Sequence, residues 1–417
     1  MLKLSKSGLL GFILAVINPI IAFVFIFANI KRKNSTIMLW GLSLSVFTIV
    51  CFIPPYQDLY RRYIDTYLAY NNNSSYTSVL EGHVDILMYV ISLFLKKNDI
   101  PFYFFPALQA AAVTYLFLST INDLIDVVYK GEDKRFFYLV AFIFINIITG
   151  ALGLRFYIAI ALVTKGISVY YFKENKKQAV IYCLLAVLFH FSMAVVVMAF
   201  ISSNFIKFNK KFTPLLFIIG FVTSSYLLLF VINSGWLGFV GQYVKAGYID
   251  YQGNADVDTK GNAIIVLIWR YILIGALFFI CYFYRSPADE DEKIKRYINF
   301  VNVYLVMASL TAISANAFSR YLIAVGSFLL LLNFFIAIRN KRKGVTIFNM
   351  VFGLIFIFNF FFQNIYLQRR PLELGEMWKG LYTPSLIAVT RTDDDFKLLL
   401  KQIDEDGDWV KDKLASK

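Results

Sequence analysis

Arg155 lies in an otherwise apolar stretch, Gly150-Ala-Leu-Gly-Leu-Arg155-Phe-Tyr-Ile-Ala159-Ile-Ala161, and His190 lies in the next one, Leu188-Phe-His190-Phe-Ser192. A guanidinium at mid-bilayer costs roughly 2.5–3.5 kcal/mol on insertion scales, so an arginine is kept there where it faces a wet cavity and meets an anion. An imidazole, with an ordinary pKa of about 6.5, can take a hydroxyl proton or donate a hydrogen bond. Arg270, in Trp269-Arg270-Tyr271, and Arg320, in Ser319-Arg320-Tyr321, sit in two further apolar stretches. Guanidinium groups match phosphate oxygens bidentately. Arg155 and Arg320 at the outward ends of spans, with Arg270 about eight residues into its own, fit one electropositive pocket for a phosphate-bearing substrate. The plainer reading of Arg155 is an arginine snorkelling to the interface.

The densest polar constellation before the tail is Asp58-Leu-Tyr60-Arg61-Arg62-Tyr63-Ile-Asp65-Thr-Tyr67, just after Pro54-Pro55. Proline fixes φ and lacks a donor, so it ends the helix before it. In a following helix, Asp58, Arg61, Arg62 and Asp65 fall on neighbouring turns at three- and four-residue spacing. Carboxylates, guanidinium groups and tyrosine faces together suit a sugar-phosphate, with Arg61, Arg62, Tyr63, Asp65 and Tyr321 as binding candidates. The competing reading is an interfacial helix whose charges pair with each other and whose tyrosines form an aromatic belt. Glu81-Gly82-His83-Val84-Asp85 then brings two acids to the mouth of a short apolar segment. Either acid fits a general base, although Glu81 also fits a helix start. His190, Asp58 and Glu81 are thus the candidate proton acceptors, in that order. No carboxylate stands beside His190 in the sequence, and a lone histidine in an apolar helix is often a satisfied core group.

These residues need elements to hold them, and composition says which. Of 417 residues, 59% are hydrophobic, 18% aromatic and 16% charged, against roughly 25% charged in soluble domains. Apolar runs near 8–28, 36–53, 101–120, 135–150, 152–172, 213–232, 262–284, 297–316, 318–338 and 345–367 have the length of bilayer crossings, about 20 residues each. The expected fold is all-α, a polytopic transmembrane helical protein of about 10–12 membrane segments. Two stretches fit poorly: 82–96 is short, and 178–206 is long and interrupted at His190. The basic loops at Lys31-Arg-Lys33, 130–135, 173–177, 207–211, 285–296 and 339–343 should all be cytoplasmic. That placement works if 82–96 and 178–206 are re-entrant or broken, which backbone at membrane depth tolerates where it lines a cavity. Residues 1–367 then form one transmembrane catalytic domain with outward loops 54–81 and 233–262. The tail 368–417 faces outward and carries a charged amphipathic helix from Asp393.

The net charge of +14 gathers in short loops as a topology signal, so nucleic acid is not an expected partner. Cys51, Cys183 and Cys281 have no paired spacing, and two distant histidines make no metal site. No metal and no cofactor are expected. The first apolar run lacks a small-residue cleavage site and reads as a retained span.

The order of these features resembles the EpsG/Wzy family of bacterial polysaccharide polymerases. It runs from a basic loop after the first span to Asp58-Leu-Tyr60-Arg61-Arg62-Tyr63 and an acid leading the next segment. Leu154-Arg155-Phe-Tyr-Ile-Ala159 and Phe189-His190-Phe-Ser192 follow. The resemblance is clearest over about residues 50–205, and further on rests on Ser319-Arg320-Tyr321. Phe156 departs from it, since the family more often has Gln there. The resemblance implies a glycosyltransferase of the inner (cytoplasmic) membrane, acting on its outer side without a nucleotide sugar. Donor and acceptor would be glycans on undecaprenyl pyrophosphate: a hydroxyl attacks the anomeric carbon and lipid pyrophosphate leaves. Arginines aimed at that leaving group would stabilise its charge. Membrane lipid and a chain-length regulator are the partners it implies. The rival readings are a lipid-linked oligosaccharide flippase and an O-antigen ligase-type transferase. No internal repeat supports a transporter built from duplicated halves.

Overall fold

The computed structural model describes residues 5–81, 83–209, 211–235, 238, 241–242, 245, 262–283, 291–338 and 347–411. These residues form helices and no named strand; two isolated bridges, Lys31 with Asp133 and Ile403 with Trp409, are the β-type pairings among them. Phe104–Val128, Leu154–Phe172 and Ser319–Ala337 are each long and apolar enough to cross a membrane, and further apolar helices run 10–17 residues. The chain is an all-α polytopic membrane protein. Most of the expected outward loop 233–262 and the basic loop 339–343 lie outside the described residues.

The chain folds as two compact units, Met1–Met193 with Gly344–Lys417, and Ala194–Lys343. The first holds helices α1 (Lys6–Ile17), α2 (Pro19–Asn29), α3 (Ser35–Val50), α4 (Asp58–Arg62), α5 (Tyr76–Leu80) and α6 (Ile86–Lys97). It continues with α7 (Phe104–Val128), α8 (Arg135–Phe144), α9 (Ile147–Leu152), α10 (Leu154–Phe172), α11 (Lys176–Phe189) and the tail. Two apolar runs expected as single spans are broken. The run 8–28 divides at Asn18, whose extended backbone starts a new helix: its side chain caps Ile21 N–H, and Pro19 takes the first helical position, where a missing donor costs nothing. The run 135–150 divides at Asn146, which caps α9 in the same way.

α7 and α10 form the core of this unit and run parallel. Gln109 near the start of α7 donates to Gly150 O just before α10, while Asp123 further along meets Lys165 of α10 at 2.6 Å. α10 has 19 residues, about 28 Å at 1.5 Å per residue, which matches a hydrocarbon core of about 30 Å. α11 returns against α10, and Gly166 permits the close approach: a Cβ there would meet Ala179 O at 3.0 Å and Cys183 Sγ at 3.1 Å. At the far end of α7, three of the expected cytoplasmic loops come together. Arg32 and Lys134 pair with Asp126 at 3.2 and 2.7 Å, Lys173 lies 3.4 Å from it, and Arg32 N–H donates to Glu132 O.

The opposite end carries the tail, which docks on the protein. Ser385 Oγ donates to Ala15 O and shares a 2.7 Å hydrogen bond with Thr48 Oγ1, so the tail is tucked between α1 and α3. The Tyr103 hydroxyl, one residue before α7, donates to Val389 O and Arg391 O. The helix Asp393–Leu400 is shorter than the expected 393–413, and its Phe396 is 2% exposed, set edge-on against Tyr63 at 4.8 Å. Gly407, at φ +84, brings its carbonyl to Gln57 N–H at 2.7 Å; a Cβ would lie 2.9 Å from Gln57 O.

The second unit contains the remainder of α12 (Met193–Ser202) and the helices Thr213–Asn233, Asn262–Phe283, Glu292–Ser309 and Ser319–Ile338. Asn299 ties the turn after α12 by donating to Ser203 O and Ile206 O and accepting from Phe208 N–H. Buried tyrosines brace the unit: Tyr304 donates to Tyr321 O at 2.7 Å and Tyr297 to Leu329 O at 3.1 Å.

Candidate active site

Three helix ends of the first unit converge on Asp85. The residue is the N-cap of α6 and its side chain is almost wholly buried, at 1% exposure. One carboxylate oxygen, Oδ2, accepts from Nη1 of Arg155, the second residue of α10. The other, Oδ1, lies 3.2 Å from His190 Nδ1 and accepts from Phe191 N–H at 2.9 Å. His190 is the C-cap of α11, where the long stretch 178–206 breaks before α12. That break was expected, and it sets His190 beside the first turn of α10, because α11 ends there.

The geometry fixes roles. An ionised carboxylate only accepts, so His190 Nδ1 carries the proton in this contact and Nε2 becomes the basic nitrogen. Phe156 packs edge-on to the imidazole at 5.5 Å, 81° between planes, and limits its rotation. A buried carboxylate without donors is costly; this one receives a guanidinium, an imidazole and a backbone amide. Arg155 keeps 26% of its side chain exposed, so positive charge still reaches the open side. The arrangement can bind an anion at Arg155 and accept a proton at His190, with one anchored carboxylate holding both side chains.

The ends of α6 explain why 82–96 does not read as a clean span. Asp85 meets the first turn of α10, while Ile100, just past α6, accepts from Tyr67 at 2.9 Å beside the start of α7. Both ends of a 12-residue helix therefore meet the same end of the α7–α10 pair.

Among the other candidates, Asp58 pairs with Arg62 at 3.2 Å, four residues on, as the plainer reading of this helix has it. Arg61 and Asp65 are exposed. Tyr63, expected to offer its ring to a sugar, is fully buried between Phe102, Tyr67 and Phe396, and its hydroxyl donates to Asp393. Burial, then Asp393, pushes its hydroxyl pKa up. Glu81 is exposed at the end of α5, and Asp85 takes the place beside His190. Arg270, Arg320 and Tyr321 belong to the second unit, where Tyr321 is buried. Among the described residues no three His, Cys, Asp or Glu side chains gather as metal ligands.

A second buried pair escaped the sequence reading. Lys165 Nζ meets Asp123 Oδ2 at 2.6 Å, and Ser168 Oγ donates to the same oxygen at 3.3 Å. The signal was present: a lysine ten residues after Arg155 in the same apolar run. Asp123 lay beyond the expected end of its span at 120 and hid its partner.

The model of the EpsG family matches residues 56–371 of the chain, a stretch that includes Asp85, Arg155 and His190. No curated protein and no solved structure matches it.

Proposed function

The chain belongs to the EpsG family, a membrane protein of polysaccharide biosynthesis, and we propose that it joins undecaprenyl-pyrophosphate-linked repeat units into a surface polysaccharide on the outer side of the inner membrane. The observation that carries this reading is Asp85 holding Arg155 through one oxygen and His190 through the other. His190 Nε2 takes the proton of an acceptor hydroxyl as its oxygen bonds to the donor's anomeric carbon. The bond from that carbon to pyrophosphate breaks, and Arg155 meets the charge that develops on the leaving oxygen. Asp85 keeps the imidazole in its Nδ1–H tautomer and stabilises it once protonated. Arg270 and Arg320 keep a proposed role in holding phosphate charge.

Lipid-linked glycans from cells lacking the protein, complemented with wild type, Arg155→Ala, His190→Ala, Arg270→Ala or Arg320→Ala, test this. Single units that reach the outer surface and never lengthen, with inserted variants failing to restore long chains, are the expected result. Units held on the cytoplasmic leaflet would point to a flippase. Long lipid-linked chains that are never handed on would point to a ligase. Either pattern ends the polymerase reading.

A further inference from the structure

The docked tail borders an open cleft of about 790 Å³ beside Phe52, two residues past α3, within the roughly 300–1,000 Å³ typical of small-ligand sites. It is not the Asp85 site and shares none of its residues. Glu373, Glu376 and Asp395 face it together with Lys379, Arg391 and Lys411, three carboxylates against three cations. Such a lining repels neither sign as a whole and attracts neither strongly. It offers donors and acceptors of both kinds along one cleft, which is the demand of a polyol.

The walls are built rather than loose. Arg391 lies over the Phe52 ring at 4.5 Å and Lys411 over the Trp409 ring at 5.0 Å, so each cation is seated on an aromatic. Asp395 is held by Thr392 N–H at 2.8 Å, and the Arg391 carbonyl by Tyr103 at 2.8 Å. Glu376 adopts φ +50, ψ 39, a left-handed conformation unusual for a residue other than glycine. It turns the chain where its carboxylate pairs with Lys379, and backbone of this kind concentrates at ligand sites.

We propose that this cleft binds uncharged sugar residues of the glycan, and holds the growing chain on the protein between additions. The proposal rests on the polymerase reading for its ligand class. Its location agrees: Gln368, where the tail begins, donates to Thr149 at 2.7 Å, six residues before Arg155. Cleft and Asp85 site thus occupy the same end of the first unit.

The test uses the full-length protein in detergent and oligosaccharides cut by mild acid from the host's own surface polysaccharide. Wild type should bind them. Glu376→Gln with Lys379→Gln, and separately Thr390→Trp, which fills the cleft from an exposed position, should weaken binding at least about tenfold, the worth of one charge-assisted hydrogen bond. Arg155→Ala should leave this binding intact. In cells the cleft variants should still join first units but give shorter chains. Absent binding to wild type, or binding that both cleft variants leave unchanged, overturns the proposal. Inorganic pyrophosphate that competes with the oligosaccharide, and is lost in the cleft variants, overturns the sugar assignment. Cells lacking the protein that still make long chains would end the polymerase reading alone, since direct binding is read independently of it.

Discussion

Asp85 is surrounded by three donors and almost no water, so its charge and those of its partners depend on one another. Asp85→Asn keeps the shape and removes the charge; Arg155 then loses its counter-ion, and His190 faces a neutral amide in place of the carboxylate that would stabilise its protonated form. Breaking a buried pair costs roughly 3–5 kcal/mol, and the partial exposure of Arg155 puts this case at the lower end. If His190 is the base, His190→Ala should slow transfer about 10²–10⁴-fold. The double variant Asp85→Asn/His190→Ala should then be slower than His190→Ala alone by far less than the single Asp85→Asn loss, because residues acting as one unit are not additive. Initial rates of unit joining in membrane vesicles measure it, and additive losses would separate the two residues. The sequence showed Arg155 and His190 through their rarity in apolar runs. It named Glu81 rather than Asp85 as the candidate acid, because a separation of 105 residues between Asp85 and His190 is closed by packing that no local pattern encodes.

At the scale of elements, α7 and α10 are joined across their apolar faces by Asp123 and Lys165, both nearly buried. Lys165→Met alone should destabilise the unit by about 3–5 kcal/mol, less what Lys173 at 3.6 Å recovers for Asp123. Asp123→Leu with Lys165→Met should restore most of it, and thermal melting in detergent reads both. A stable double variant without activity would show that the pair does more than pack helices. The tail helix answers to pH instead. Tyr63 is raised by burial and by Asp393, and Tyr67 is pushed up to about 12 by burial, then Asp393. A raised pKa means that folding favours the neutral phenol. The stability it contributes is whole below the unfolded value of about 10 and is lost as pH rises beyond it. Protease resistance of residues 385–411 should therefore hold from neutral pH to about 10 and fall above, and Phe396→Ala should remove it at every pH. Amphipathic spacing made this helix legible from Asp393, but not its docking: Tyr63 and Phe396 lie 333 positions apart and neither announces the other. The breaks at Asn18 and Asn146 were hidden for another reason. Hydropathy is continuous across both, and a capping side chain, joined at the first by Pro19, marks the new start.

Across the whole first unit, the two ends of the α7–α10 pair differ in chemistry, and this difference sets the orientation on which the function depends. One end gathers Arg32, Lys134 and Lys173 around Asp126; the other gathers α4, Asp85, Arg155, His190 and the tail. Basic loops stay on the cytoplasmic side, so the second end should face outward. The sequence reading assigned a side to each loop separately, and in the first unit packing brings three of the basic ones, at 31–33, 130–135 and 173–177, together. Thiol labelling of intact cells tests it directly. In a variant whose Cys51, Cys183 and Cys281 are replaced by alanine, a cysteine at exposed Glu81 or at exposed Leu386 of the tail should react with a membrane-impermeant maleimide from outside. A cysteine at exposed Lys177 should react only after the membrane is opened. Both tail and loop 54–81 labelling from outside would put Arg155 and His190 where lipid-linked units arrive after crossing. Labelling in the reverse sense would place the same residues at the cytoplasmic face, where nucleotide sugars are the available donors, and would overturn the proposed polymerisation from a lipid pyrophosphate on the outer side.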